Sequence, residues 1–307
     1  MSLKVKVDKI KGFSLIELSL VLLILAALIA GGMSLSSIQA YKEKYDTTLK
    51  NIKLIENALT VFVALNGRLP CPASPAQKIL NSTFGREQVT AGAVGTAQSC
   101  NSTTTNIFTG SVGGNTQYYG AAPVTTLGLP DEVMFDGWGN RIGYIVTKPF
   151  VNSSKTNTSC TSGGSAANVS NNIYFCYRGQ ASGNSSTSIQ VLGEGYYANY
   201  APVYILISHG ENGYGAFLKN ADVDLDNGGV NGSNADRNPN PPSSNPHELL
   251  NLNCNSGACL TQNYVQKEIS TPIFDDILLF KNRNNILLDC NKYGNNACTL
   301  NEGIIIG

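Results

Sequence analysis

Apolar residues run almost without a break from Phe13 to Met33, reading Phe-Ser-Leu-Ile-Glu and then Leu18-Ser-Leu-Val-Leu-Leu-Ile-Leu-Ala-Ala-Leu-Ile-Ala-Gly-Gly-Met33. The stretch is long enough to cross roughly 30 Å of hydrocarbon as a helix. From Ile38 the pattern changes. Apolar residues fall at 38, 41, 45, 52, 55, 59 and 62, with Thr48 filling the one gap. Steps alternating between three and four predict an amphipathic helix with one apolar stripe. Lys42, Glu43, Lys44, Lys50, Lys53 and Glu56 fall off that stripe. Asn66-Gly67 supplies a stop, and Pro70 and Pro72 prevent resumption. Residues 13–65 therefore read as one helix about 80 Å long.

Beyond residue 66 the helical period fades. Residues 81–120 are rich in Gly, Thr, Ser and Asn and read as a long loop region. Short strands are expected at Ile142–Thr147, Ile173–Arg178, Ser188–Leu192, Val203–Ser208, Tyr214–Leu218 and Ile277–Phe280. Most carry β-branched or aromatic residues and are bounded by Gly, Asn or Ser. Polar loops are expected at 151–171 and 219–247, the second containing the Pro-rich stretch 238–246. No fixed-period repeat is evident.

One acidic residue, Glu17, interrupts the first apolar segment. A charge at a bilayer centre costs about 2.5–3.5 kcal/mol, and less towards the interface, so its presence asks for a function. Lys4, Lys6, Lys9 and Lys11 against Asp8 make the first twelve residues net positive, which favours a cytoplasmic N-terminus. An ordinary signal peptide with small residues at Ala30-Gly31-Gly32 is the rival reading. The length of the apolar stretch and the charge inside it count against that. A plain signal anchor would explain the span but neither Gly12-Phe13 nor Glu17.

The order of a basic leader, Gly12, Phe13 and then Glu17 resembles the prepilin-type signal of type IV pilins and type II secretion pseudopilins. The resemblance covers the N-terminal helix. It implies cleavage after Gly12 by a prepilin peptidase and N-methylation of Phe13. It also implies retention of Glu17 to pair with the terminal amine of a neighbouring subunit. A buried carboxylate in an apolar bundle needs a cation, and residues 13 and 17 share a helix face. The implied fold is α+β, the pilin fold. A long N-terminal helix, membrane-spanning in its first half and amphipathic in its second, packs on an antiparallel β-sheet head with long disulfide-linked loops. The implied divisions are a leader at 1–12, a transmembrane and assembly helix at 13–37, a stem helix at 38–66 and a β-rich head at 67–307. Gly67-Arg-Leu-Pro-Cys-Pro72 is similar to a step in large pilin-like proteins of this kind.

Composition adjusts this picture at two points. Of 307 residues 14% are charged, with 21 basic against 21 acidic. Loss of 1–12 removes four Lys and one Asp and leaves 17 against 20, net −3, so no nucleic-acid partner is expected. Eight cysteines, Cys71, Cys100, Cys160, Cys176, Cys254, Cys259, Cys290 and Cys298, all follow the apolar segment. An even number in an oxidising compartment reads as disulfides, with the pairing left open. Nearest-neighbour pairing (71–100, 160–176, 254–259, 290–298) is the simplest scheme. No Cys-x-x-Cys occurs and there are two His, which argues against zinc.

The remaining motifs have plain structural readings. Phe135-Asp-Gly-Trp-Gly-Asn140 resembles a turn of major pseudopilins and reads as a Gly-rich turn carrying the only Trp into the core. Asp222, Asp224 and Asp226 precede Gly228, with Asp236 beyond, a spacing that suits calcium. The glycine falls one place late for an EF-hand and Ser233 stands where the bidentate Glu belongs, so a solvated acidic loop is preferred to calcium as the reading. His209 beside Glu211 is a candidate acid–base pair, but no Gly-x-Ser-x-Gly elbow occurs. His247-Glu248-Leu-Leu-Asn251 lacks the second His of a zinc protease, and Gly193-Glu-Gly-Tyr-Tyr-Ala198 is a poor dinucleotide match. Phe274-Asp-Asp-Ile-Leu-Leu-Phe280 reads as a late strand whose two Asp cap or bind.

The expectation is a non-enzymatic pilin-like subunit of a type IV pilus or a type II secretion pseudopilus. Its partners would be the prepilin peptidase, other pilin or pseudopilin subunits and an inner-membrane assembly platform. It would sit in the bacterial inner membrane as a single-pass protein with a periplasmic head, then in a filament. The alternative is an adhesin or ligand-binding head on a pilin stem, using the polar loops. A membrane-anchored enzyme is the third reading.

Overall fold

The computed structural model describes Gly12 and residues 14–90, 100–101, 107–112, 115–151, 190–193, 196–197, 202–219, 248, 251, 254–255, 258–259, 263–266, 274–282, 285–286 and 288–289. Within helices and strands a few of these, including 27–37, are described in backbone only. The chain divides into two units, Met1–Lys44 and Tyr45–Gly307.

Helix α1, Leu15–Asn66, begins in the first unit and ends in the second. Its start is a capping box. The Ser14 N–H donates to Glu17 Oε2 at 2.9 Å, and the Glu17 N–H donates to Ser14 Oγ at 3.3 Å. Two otherwise orphaned backbone donors are satisfied reciprocally. Its end is the expected glycine stop. Gly67 takes φ 70°, and its N–H reaches Val63 O at 2.9 Å. Among the described residues no helix is long and apolar enough to cross a membrane. The side chains of 27–37, the middle of the apolar run, lie outside them.

In the second unit five strands form one antiparallel sheet. They are β1 (Phe108–Val112), β2 (Asn115–Ala121), β3 (Gly143–Thr147), β6 (Pro202–Ser208) and β10 (Ile277–Asn282). Their spatial order is β1-β2-β3-β6-β10, the order in which they occur in the chain. The sheet is thus a meander interrupted by two long excursions, after β3 and after β6. A smaller sheet contains β4 (Gln190–Gly193), β5 (Tyr196–Tyr197) and β9 (Asn263–Gln266), with β4 and β9 parallel. A hairpin joins β7 (Cys254–Asn255) to β8 (Ala258–Cys259).

The main sheet is buried on both faces. On β3 and β6, Tyr144, Val146, Tyr204 and Leu206 face the core that includes Ile52, Ile55, Leu59 and Val63 of α1. The alternate residues Ile145, Ile205 and Ile207 join Tyr119, Phe217, Tyr264 and Leu278 on the other face. This is the period of two expected of strands, with apolar side chains at both phases. From Thr48 to Leu59 the α1 stripe docks as its spacing predicts, with Ile52, Ile55 and Leu59 at most 2% exposed, but Ile38 is 66% exposed and Val63, off the predicted stripe, is fully buried where Phe62 is half-buried. Each such side chain contributes about 1.5–3 kcal/mol. Thr48 in the stripe accepts the Gly137 N–H at 2.9 Å.

Several expectations are corrected. Glu56, placed off the apolar stripe with the exposed charges, is 3% exposed and bonded to Lys281 at 2.7 Å and Lys53 at 2.5 Å. A buried carboxylate keeps its charge only with such cations. The loop expected over 81–120 contains β1 and most of β2, joined through Gly113-Gly114, a hairpin signal that composition concealed. Tyr214–Leu218 is no strand. Gly213 and Gly215 take positive φ, and the segment contributes one bridge, Arg141 to Phe217. The expected strand Ile173–Arg178 lies outside the described residues, as do most of the two polar loops.

Candidate functional site

The step after α1 is a structural clip. Arg68 forks onto Glu87 through two bonds of 2.8 and 2.7 Å, and the Cys71 N–H donates to the same carboxylate at 3.0 Å. Cys71 and Cys100 form a disulfide with a Cα separation of 5.5 Å. Closing a loop of 29 residues is worth about 3–4 kcal/mol. Cys254 and Cys259 stand opposite one another in the β7–β8 register. Their side chains, and all of Cys160, Cys176, Cys290 and Cys298, lie outside the described residues.

Asp136 organises the Phe135–Asn140 turn. Its Oδ1 accepts the N–H groups of Trp138 and Asn140 at 3.0 and 2.8 Å, and its Oδ2 accepts the Ser208 hydroxyl at 2.7 Å. Trp138 is half-buried against the core. Burial raises the Asp136 carboxyl above its ordinary range despite these bonds.

Ser208 ends β6, and the chain then turns through His209-Gly-Glu-Asn-Gly213. This turn gathers the second candidate site. Glu248, Asp275 and Asp276 converge so that one ligand oxygen from each lies within 4.8 Å of the others. All three are buried, at 2, 3 and 4% exposure. Asn212 and Asn251 hold an oxygen of each. Asn212 Nδ2 donates to Glu248 Oε1 at 2.6 Å, the Asn212 N–H donates to Asp275 Oδ2 at 2.8 Å, and Asn251 Nδ2 donates to Asp276 Oδ2 at 2.8 Å. Asn251 is itself fixed by both backbone groups of Val265 in β9. Gly210, at φ 60°, lets the turn press against Asp275, whose carbonyl oxygen would lie 2.4 Å from an added Cβ.

Buried His209 places Nδ1 3.3 Å from Asp276 Oδ1. Its expected partner Glu211 is exposed, so the proposed His209–Glu211 pair is not formed. His209 Nε2 is buried without a hydrogen-bond partner among the described residues, and the Glu248 and Asp275 carboxyls share a side-chain hydrogen bond.

The electrostatics follow from burial. Glu248 is pushed up to about 8 from an ordinary 4.5, first by desolvation and then by repulsion from Asp276 and Asp275, against the pull of the Asn212 bond. Desolvation also raises Asp275, opposed mainly by the Asn212 N–H. Like charges this close do not all ionise without a counter-charge.

Only part of this constellation was legible. His209, the Asp275-Asp276 pair and His247-Glu248 were each singled out in the sequence, but separately. Nothing in the spacing places 209, 248 and 275 together, because two chain excursions intervene. Asn251 three residues after Glu248 was the available signal, since both lie on one helical face. The calcium candidates Asp222, Asp224, Asp226 and Asp236 lie outside the described residues. Gly12 is described and Phe13 is not. Glu17 stands in the first turn of α1 as the partner of Ser14. Comparison of the chain with protein-family models, curated proteins and solved structures found no match.

Proposed function

We propose that the chain is a pilin-like subunit, processed after Gly12, methylated at Phe13 and assembled through its N-terminal helix into a type IV pilus or type II secretion pseudopilus. The observation that carries this reading is the division of labour along α1. Leu15, Ile16, Leu18 and Leu20–Leu25 are exposed, from 47 to 88%, along an unbroken helical run. The same helix buries Ile52, Ile55, Leu59 and Val63 in the head. An apolar surface of that extent calls for lipid or neighbouring helices. Membrane insertion through 13–37 is part of the proposal. The Cys71–Cys100 disulfide supports an oxidising compartment for the head. The lysine-rich leader and Glu17 supply the processing and register signals in this reading, and filament assembly rather than turnover is the activity.

Intact mass and N-terminal sequencing of protein extracted from its native membrane test the proposal. A chain beginning at methylated Phe13 is expected. A chain beginning at Met1, or cut near Gly31, overturns it.

A further inference from the structure

We propose that Glu248 and Asp275 form a proton-operated latch. While the pair holds one proton it fastens the segment carrying Glu248 and Asn251 to the turn after β6, and loss of that proton in mildly alkaline solution releases the segment and with it β9. The inference is independent of the filament reading.

The two carboxyls are buried, at 2 and 3% exposure, and share a side-chain hydrogen bond. Ionised carboxylates only accept, so such a bond exists only with a proton on one partner. Asn212 clasps both groups. Its side chain donates to Glu248 at 2.6 Å and its N–H donates to Asp275 at 2.8 Å. The turn, the segment and the approach to β10 therefore meet at one shared proton. Without it, two like charges face each other away from water. Asp276 adds a third acid from the approach to β10, within 4.8 Å of both. His209 of the turn pairs with Asp276 at 3.3 Å. Glu211 is exposed and offers Asp275 its N–H. Asp136 is engaged by Ser208 and by its own turn. Desolvation, then repulsion from Asp276, pushes Glu248 up to about 8 against the Asn212 bond, so the pair titrates just above neutrality.

Asn251 transmits the change. Its side chain accepts the Val265 N–H at 2.7 Å and donates to the Val265 carbonyl at 2.9 Å and to Asp276 at 2.8 Å. Glu248 and Asn251 are both helical and share one face, so a segment that leaves the turn draws on β9. Gln266, next along β9, reaches the Leu278 carbonyl of β10 at 3.5 Å. β3, between β2 and β6 in the main sheet, provides the reference.

The test is amide hydrogen exchange read by mass spectrometry on the full chain in detergent and EDTA, corrected for the intrinsic dependence of exchange on pH. From about pH 6.5 to about pH 9, peptides over 248–266 should lose about tenfold or more in protection, approaching the rate of unstructured chain, while β3 peptides stay protected. Glu248→Gln donates to Asp275 without a titrating proton and should hold the segment closed across the range. Asp275→Asn, which donates to an ionised Glu248, should do the same. A merely structural role would shift protection by the same factor at both pH values. Segment and β3 exchanging together at every pH, protection that does not change with pH, or a Glu248→Gln chain that loses protection as the wild type does overturns the latch.

Discussion

Glu248 shows most directly what burial does to a single group. A carboxyl whose value rises on folding binds its proton more tightly in the native chain than in the unfolded one. Its contribution is full below the ordinary 4.5 and is lost as pH rises through about 8. In EDTA, the urea midpoint of the full chain should therefore fall from about pH 5 to about pH 8. Glu248→Gln should flatten that fall, and a midpoint that rises over this window contradicts the protonated form. Gly210 makes the complementary case. Gly210→Ala forces a Cβ against the Asp275 carbonyl at φ 60°. The positive φ alone costs about 1–2 kcal/mol, and the contact adds to it. Chemical denaturation should record a loss above that range, because backbone rather than a flexible side-chain tip stands in the way.

At the scale of elements, α1 was the most legible part of the chain because its signals agree. Period, capping glycine and prolines all point one way, and Thr48 sits in the stripe for a reason, accepting the Gly137 N–H. Ile55→Ala should cost about 2–5 kcal/mol in denaturation. Leu65→Ala, at 72% exposure, should cost little and serves as control. β3, β6 and β10 were legible through β-branched and aromatic runs. β1 and β2 were not, because Gly, Thr and Asn dilute the alternation in that stretch. Glu56 was misplaced because a single face count cannot foresee Lys281, which arrives from β10. The β7–β8 hairpin extends the cysteine argument. Asn255 and Ala258 flank a two-residue connection, so the next pair, Cys254 and Cys259, is the non-hydrogen-bonded one. Its Cα spacing of about 4.5 Å falls within disulfide range. Non-reduced peptide mapping should recover a 254–259 linkage, and a linkage of either residue to another cysteine would sink the nearest-neighbour scheme.

At the scale of the whole molecule the argument turns on Glu17, which has two physical roles to choose between. In the capping box it satisfies the Ser14 N–H, a local duty that needs an acceptor and no charge. In the proposed filament it also pairs with the methylated amine of a neighbouring Phe13, which needs the charge. Glu17→Gln separates the two. Glutamine serves the N3 position of a capping box, so helix initiation and processing after Gly12 should persist, read as an unchanged N-terminus by mass. Loss of the carboxylate leaves a neighbour's ammonium unpaired in an apolar bundle, a penalty on the order of 3–5 kcal/mol. Incorporation into sheared filaments, measured against the membrane pool, should then fall by well over tenfold. Glu17→Ala should behave the same way if charge decides. If Glu17→Gln assembles normally while Glu17→Ala does not, the residue is a cap and the register role is wrong.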